Sequence, residues 1–171
     1  MEDNKLSKEQ KKVVADLYSP DIDVIMQTLE RIRDIGGEYC VAPMIEIFFS
    51  TPFAEVRSEI GNVFMDVRSK KMANAVIEGL KPYTDHEYFR DFTSILWQSS
   101  IAFEDLSLFV EKFVTADEIY AFECLSLVEN NTGNISLESA KKCVQLLKSN
   151  QCTGSKQKLA EELIGILEEI E

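Results

Sequence analysis

The chain has 171 residues, of which 45% are hydrophobic and 28% are charged, and these values are typical of a globular protein with one buried core. Thirty acidic side chains against eighteen basic ones give a formal net charge of −12, which opposes binding to nucleic acid or to an anionic membrane surface. The polar first ten residues lack the apolar stretch of a signal peptide, so we expect a cytoplasmic protein with neither nucleic acid nor membrane among its partners.

Apolar residues recur along the chain at spacings of three and four, which indicates helices throughout. Two patterns alternate: pattern B has apolar residues at relative positions 0, +3, +4 and +7, and pattern A has them at 0, +4 and +7. In chain order, the segments are 10–17 (B), 25–32 (A), 41–48 (B), 56–63 (A), 73–80 (B), 88–95 (A), 106–113 (B), 121–128 (A), 140–147 (B) and 159–166 (A). Segment 10–17 matches pattern B only at +3, +4 and +7, because its position 0 is Gln10. From this alternation we predict about nine helices and no sheet.

Residues that begin or end helices lie between these segments. A cap-type residue and a proline precede the first two A helices, at residues 19–21 (Ser-Pro-Asp) and 50–52 (Ser-Thr-Pro). Gly36 and Gly37 are expected to end the first A helix. Pro43 is expected near the first turn of its B helix, where N–H groups lack helical partners and a proline is tolerated.

Residues 34–37 (Asp-Ile-Gly-Gly), 41–46 (Val-Ala-Pro-Met-Ile-Glu) and 55–57 (Glu-Val-Arg) resemble HEAT-like repeats, in particular the short-period bilin-lyase type. The resemblance covers residues 20–80, and after Tyr83 only the spacing continues. It implies a right-handed α-α superhelix, or solenoid, as a single domain over 1–171. Residues 1–19 would form a half-repeat helix, 20–150 four helix pairs and 153–171 a capping helix. Tetratricopeptide repeats have a similar period, but their Trp, Leu-Gly and Tyr signature is absent.

Residue types suited to catalysis are few in this chain. His86 is the only histidine, and the four cysteines, Cys40, Cys124, Cys143 and Cys152, have no CxxC spacing. We expect no catalytic residue, metal site or cofactor, since metal sites and activated nucleophiles need several such groups together. His86 is interpreted as part of a polar turn rather than as a His-Glu motif of HEAT-repeat di-iron hydroxylases. The cysteines are interpreted as buried thiols, and Phe89 and Trp97 as packing residues rather than a base-stacking platform.

The outward side of the B helices carries the candidate binding residues. Position +5 lies about 140° from position 0 on a helix, so it faces away from the core. The candidates are Glu46, Glu78 and Glu111 at +5 and the nearby apolar residues Phe49, Leu108 and Val114. We predict that the three carboxylates form a ladder on a concave surface and bind a basic peptide or protein. The alternative is a solvated polar face that only keeps the protein in solution.

The sequence therefore predicts a non-catalytic interaction module or scaffold. Two other functions remain open at this point. One is a HEAT-like enzyme of the lyase or hydrolase type, although no phosphate loop or nucleophile and base set is visible. The other is a structural subunit that assembles with itself, with a homodimer formed through the terminal helices.

Overall fold

The computed structural model describes residues 6–66 and 70–170. Within these ranges the chain forms ten α-helices, one 3₁₀ turn and no β-strand, which confirms the all-α prediction. The helices are α1 (Lys8–Leu17), α2 (Ile22–Ile35), α3 (Glu38–Ser50), α4 (Ala54–Asp66), α5 (Lys70–Leu80), α6 (Phe89–Gln98), α7 (Ser107–Thr115), α8 (Glu118–Glu129), α9 (Leu137–Ser149) and α10 (Ser155–Glu168), and the 3₁₀ turn is Lys81–Tyr83. No helix in this part of the chain has the length and apolar character needed to cross a membrane.

Each A or B segment corresponds to one of these helices. Odd-numbered helices carry the B pattern and even-numbered helices the A pattern. The predicted number of about nine is one too few, because five A and five B segments sum to ten. Position 0 lies just outside the helix in two segments, because Tyr88 is the N-cap of α6 and Leu106 is the N-cap of α7.

Residue contacts divide the chain into two compact units, Met1–His86 and Glu87–Glu171. In the N-terminal unit, α3 packs against α1, α4 and α5, while α2 packs against α1 and α4. More than half of α3 is buried, including Met44, Ile45 and Phe48. Neighbours two apart in the chain therefore lie side by side, B helix against B helix and A helix against A helix.

The C-terminal unit repeats this arrangement with its own helices. There α6 packs against α8, α8 against α10, and α7 against α9, while α9 also contacts α10. Phenylalanines form much of its core: Phe89, Phe92, Phe103, Phe109 and Phe113 are each at most 2% exposed. The single-domain prediction for residues 1–171 stays a prediction.

Helix α2 begins and ends at the predicted residues, Asp21 and Gly36, whereas one other prediction about a helix start is an exception. Asp21 is the N-cap of α2 and accepts a hydrogen bond from the Asp23 N–H at 3.0 Å, as residues 19–21 predict. The exception is Pro43, because α3 begins at Glu38 and Pro43 is its sixth residue, in the second turn rather than the first. There the missing N–H removes the usual hydrogen bond to the carbonyl of Tyr39.

Gly36 ends α2 at a position where the backbone leaves no room for a Cβ atom. A Cβ at Gly36 would lie 2.3 Å from the carbonyl oxygen of Ile32 and 2.7 Å from the Ile32 side chain, whereas a Cβ at Gly37 would meet nothing closer than the Tyr39 ring at 3.4 Å. We expect Gly36→Ala to lower the free energy of unfolding by about 1–3 kcal/mol, as overpacking does. Gly37→Ala, the matched control, should change it by less than about 1 kcal/mol. Equal urea midpoints for the two variants would contradict this reading of Gly36.

Candidate functional site

Glu46 is exposed on α3 beside a tyrosine that follows α1. Tyr18 is 48% exposed, and its hydroxyl donates a hydrogen bond to Glu46 Oε2 at 2.5 Å. Partial burial and this hydrogen bond raise the pKa of Tyr18 to about 12. Burial, followed by the charge of Glu46, also raises the pKa of Tyr83, which ends the 3₁₀ turn. The Glu46 carboxylate therefore acts on two phenols, and we call Tyr18, Glu46 and Tyr83 the tyrosine-glutamate cluster.

Phe49 packs against Tyr83 of this cluster. Its ring is stacked on Tyr83 with centroids 4.4 Å apart and an interplanar angle of 8°. The imidazole of His86 meets Phe49 edge-on at 5.1 Å. Contrary to the prediction of an exposed groove wall, Phe49 is only 5% exposed, because other side chains cover its ring. His86 lies in the turn before α6, as expected, but it also contributes an aromatic contact that the polar-turn interpretation omitted.

The tyrosine-glutamate cluster has the chemistry of a cation site. Glu46 Oε1 takes no hydrogen bond or ion pair from the described residues, and it can accept one from an ammonium or a guanidinium. Phenol rings add cation-π attraction, which contributes about 0.5–1 kcal/mol at an exposed site. Both tyrosines were missed in the sequence, because Tyr18 follows the end of a helix and Tyr83 lies in a 3₁₀ turn, outside any A or B position.

The other two predicted carboxylates are exposed but have partners within the chain. Glu78, on α5, lies 2.6 Å from the ammonium of Lys81. Glu111, on α7 of the C-terminal unit, lies 3.5 Å from the ammonium of Lys142 on α9. The three glutamates thus face solvent, as position +5 predicts, and a continuous ladder stays a prediction. Leu108 and Val114 are half-buried on α7.

A polar network joins the start of α7 to α9 in the C-terminal unit. Asp105 Oδ1 accepts hydrogen bonds from the Ser107 N–H at 2.8 Å and from the Ser139 hydroxyl at 2.9 Å. Burial alone would raise the pKa of Asp105, but these bonds and the nearby Lys142 lower it. The Lys142 ammonium donates to Ser107 Oγ at 2.9 Å. Because Ser107 and Ser139 are only 6% and 4% exposed, we assign their hydroxyls to helix packing and not to contact with a substrate.

Three of the four cysteines are buried, and Cys152 is half-buried, so the prediction is confirmed for Cys40, Cys124 and Cys143. Burial raises the pKa of Cys143 to about 11 and that of Cys124 still further. Both thiols are therefore protonated at neutral pH, and a protonated thiol is a poor nucleophile. In residues 6–66 and 70–170, no three His, Cys, Asp or Glu side chains are grouped so that they could hold a metal ion.

Phe89 and Trp97 both take part in packing within the C-terminal unit. Phe89 is 2% exposed and stacks on Phe109 and Tyr120, with centroids 6.2 and 5.9 Å away. Trp97 is half-buried, and its indole N–H donates to Glu123 Oε2 on α8 at 2.6 Å. An aromatic platform for stacked bases needs exposed ring faces, and Phe89 has none to offer.

Neither the family models nor the curated proteins compared with this chain gave a match. The resemblance to HEAT-like repeats therefore depends on residues 34–37, 41–46 and 55–57 alone.

Proposed function

We propose that this chain is a non-catalytic, cytoplasmic interaction module that binds a basic segment of a partner protein. The observation that carries the proposal is the tyrosine-glutamate cluster, an exposed carboxylate with a phenol bound to it and a second phenol in its field. A lysine or arginine side chain would pair with Glu46 and pack on the tyrosine rings. Glu78 and Glu111, with Leu108 and Val114, are the further contacts that we propose for a longer segment.

We also propose that the ten helices form a right-handed HEAT-like solenoid. Support comes from the alternation of the two patterns along the chain. Within each unit, moreover, helices two apart in sequence pack against each other, as stacked repeats require. Such folds offer extended surfaces on which several weak contacts add up along a bound segment.

One lysine or arginine side chain bound at the tyrosine-glutamate cluster should contribute only a small part of the binding free energy. An exposed ion pair contributes about 0.2–1 kcal/mol and an exposed cation-π contact about 0.5–1 kcal/mol. Together, the contacts of one cationic side chain with the cluster amount to about 1–2 kcal/mol, or roughly a tenfold change in affinity. Measurable binding therefore needs a peptide with several such contacts, and it should weaken as salt screens the charges.

The test is binding of fluorescein-labelled 15-residue peptides that contain lysine or arginine, selected on a peptide array and measured by fluorescence anisotropy. Glu46→Gln keeps an acceptor for the Tyr18 hydroxyl and both tyrosine rings but removes the charge, so we expect about three- to fivefold weaker binding, the upper part of the range for one exposed ion pair. The matched control is Glu30→Gln, which removes an equal charge from an exposed position on α2 and should change affinity less than about twofold.

Tyr18→Phe separates the contribution of the Tyr18 ring from that of its hydroxyl. It keeps the ring and removes the hydroxyl that orients Glu46, so binding should weaken less than in Glu46→Gln. If Glu46→Gln and Glu30→Gln weaken binding equally, general acidity explains the effect and the cluster has no specific role. If no basic peptide on the array binds, the proposed function itself is wrong.

A further inference from the structure

Helix α8 of the C-terminal unit carries apolar side chains on all its sides. Eight of its twelve residues are apolar, and six of these are buried where α8 packs against α6, α7 and α10. The other two, Ile119 and Phe122, are 58% and 54% exposed, the highest values for large apolar side chains in the described part of the chain. A helix that is apolar all round is normally buried all round. One face of α8 therefore lacks the cover that its composition calls for.

The two exposed apolar side chains are neighbours on this helix. Residues three apart on a helix have Cβ atoms about 5–6 Å apart, so Ile119 and Phe122 form one patch. Glu118, Phe122, Ser126 and Glu129 follow one another at spacings of four, four and three residues, which makes them a row through the patch. From Glu118 to Glu129 this row is about 16 Å long, the length of about three helical turns.

Every charged side chain on α8 is acidic. Glu118 and Glu129 are exposed at the ends of the row, and Glu123, one turn after Ile119, is half-buried. None of these glutamates forms an ion pair with a described residue. Glu123 accepts only the neutral indole N–H of Trp97, at 2.6 Å. Glu129 is the last residue of α8, at the negative end of the helix dipole, where a cation is stabilising. We call Glu118, Ile119, Phe122, Glu123 and Glu129 the α8 face.

We infer that the α8 face binds a basic amphipathic helix of a partner protein. Apolar residues of that helix would cover Ile119 and Phe122, and its lysine or arginine side chains would pair with the surrounding carboxylates. An exposed apolar patch with a polar border is typical of an interaction surface. The apolar pair contributes most of the affinity, and the glutamates select the sign of the partner's charge. This inference uses the C-terminal unit only and is independent of the tyrosine-glutamate cluster.

A second copy of the chain does not match this face. An interface between identical subunits must be self-complementary, but a two-fold pairing of two α8 faces would bring the three glutamates of each copy together without a cation. Lys156 of α10 does not pair with them, because its ammonium donates to the carbonyls of Val114 and Ala116, each at 2.7 Å. An anionic membrane surface would be repelled by the same glutamates. A basic helix complements both the apolar pair and the charges.

Trp97 provides a local measurement of binding, because it is the only tryptophan in the chain and is bonded to Glu123. The probe is an 18-residue peptide of leucine, alanine and lysine, with its leucines along one helical face. We expect this peptide to shift the emission of Trp97, and the dissociation constant to rise with salt. A peptide with glutamate in place of every lysine should bind at least about tenfold more weakly. A scrambled lysine peptide without an apolar face should be weakened as much.

Variants of the α8 face separate its apolar and charged parts. Ile119→Ala with Phe122→Ala should raise the dissociation constant of the lysine peptide at least about tenfold, as removal of a central apolar contact does. Glu118→Gln with Glu129→Gln should raise it about three- to tenfold, since two exposed ion pairs are lost. The matched control for the apolar pair is Ile35→Ala on α2, which is 50% exposed and should change the constant less than about twofold. Circular dichroism should show that all these variants are helical.

Three results would overturn the inference. The first is a lysine peptide that leaves the Trp97 emission unchanged at every concentration. The second is equally tight binding of the glutamate peptide, which would exclude a basic partner. The third is an effect of Ile35→Ala as large as that of the alanine pair, which would place the contact elsewhere. Glu46→Gln should leave the Trp97 titration unchanged, so failure here and failure of the tyrosine-glutamate cluster are distinguishable.

Discussion

Replacing Phe103 by alanine should lower the free energy of unfolding by about 3–5 kcal/mol, the range for a phenylalanine removed from a packed core. Phe103 lies in the connection between α6 and α7, not in a helix, yet its side chain is 0% exposed. Its ring meets Phe109 edge-on with centroids 6.0 Å apart. Truncation would leave a cavity among aromatic side chains, because surrounding helices cannot collapse fully into the space.

The matched control is Phe122→Ala in the same unit. Phe122 is 54% exposed on α8, so its removal should change stability by no more than about 0.5 kcal/mol. Urea denaturation followed by circular dichroism measures both variants. A loss of under about 1 kcal/mol for Phe103→Ala would show that the connection does not contribute to the core as described.

Replacing Asn131 by alanine should lower the free energy of unfolding by about 2–3 kcal/mol, because a buried backbone donor would lose its partner. Asn131 is only 3% exposed. Its Oδ1 accepts a hydrogen bond from the Phe103 N–H at 2.9 Å, and its Nδ2 donates to the Leu127 carbonyl at 2.9 Å. The side chain thus replaces the helical hydrogen bonds that residue 103 does not have, and it fixes the connection where the Phe103 ring is buried.

Its neighbour Asn130 provides the control. The Asn130 side-chain amide donates to the Trp97 carbonyl at 2.8 Å, but Asn130 is exposed. Water can replace that bond, so Asn130→Ala should lower the free energy of unfolding by less than about 1 kcal/mol. Native-state hydrogen exchange adds a local measurement: the Phe103 amide should exchange faster in Asn131→Ala and should keep its protection in Asn130→Ala. Equal losses in both variants would refute the role given to Asn131.

The helices could be predicted from the sequence because their signal is local. An apolar residue every three or four positions requires one buried stripe on a helix, and each of the ten segments that carry such a stripe is helical. The ends of α2 are local in the same way. Asp21 caps its first turn and Gly36 ends it, so both act on the backbone next to them. The prediction for Pro43 was wrong because it depended on where α3 begins, and α3 begins at Glu38, five residues before Pro43.

The candidate site was predictable only in part. The exposure of Glu46, Glu78 and Glu111 follows from their position on the helix, and the structure has all three exposed. Their partners do not follow from it. Tyr18 is 28 residues from Glu46 in the chain, and Lys142 belongs to a different helix from Glu111. Nothing in a helical period specifies which side chains meet across such distances.

By itself, the sequence determined the type, order and buried faces of the helices, because these depend on residues within one or two turns of each other. Tertiary structure alone decided that Phe103, which lies in a connection between helices, is a core residue. It also decided that Asn131, 28 residues away, accepts the hydrogen bond of the Phe103 N–H. The stacking of Phe49 on Tyr83 is a third feature of this kind. These features arise when helices distant in the chain pack together, and packing depends on the shapes of both surfaces, which no local pattern of apolar residues contains.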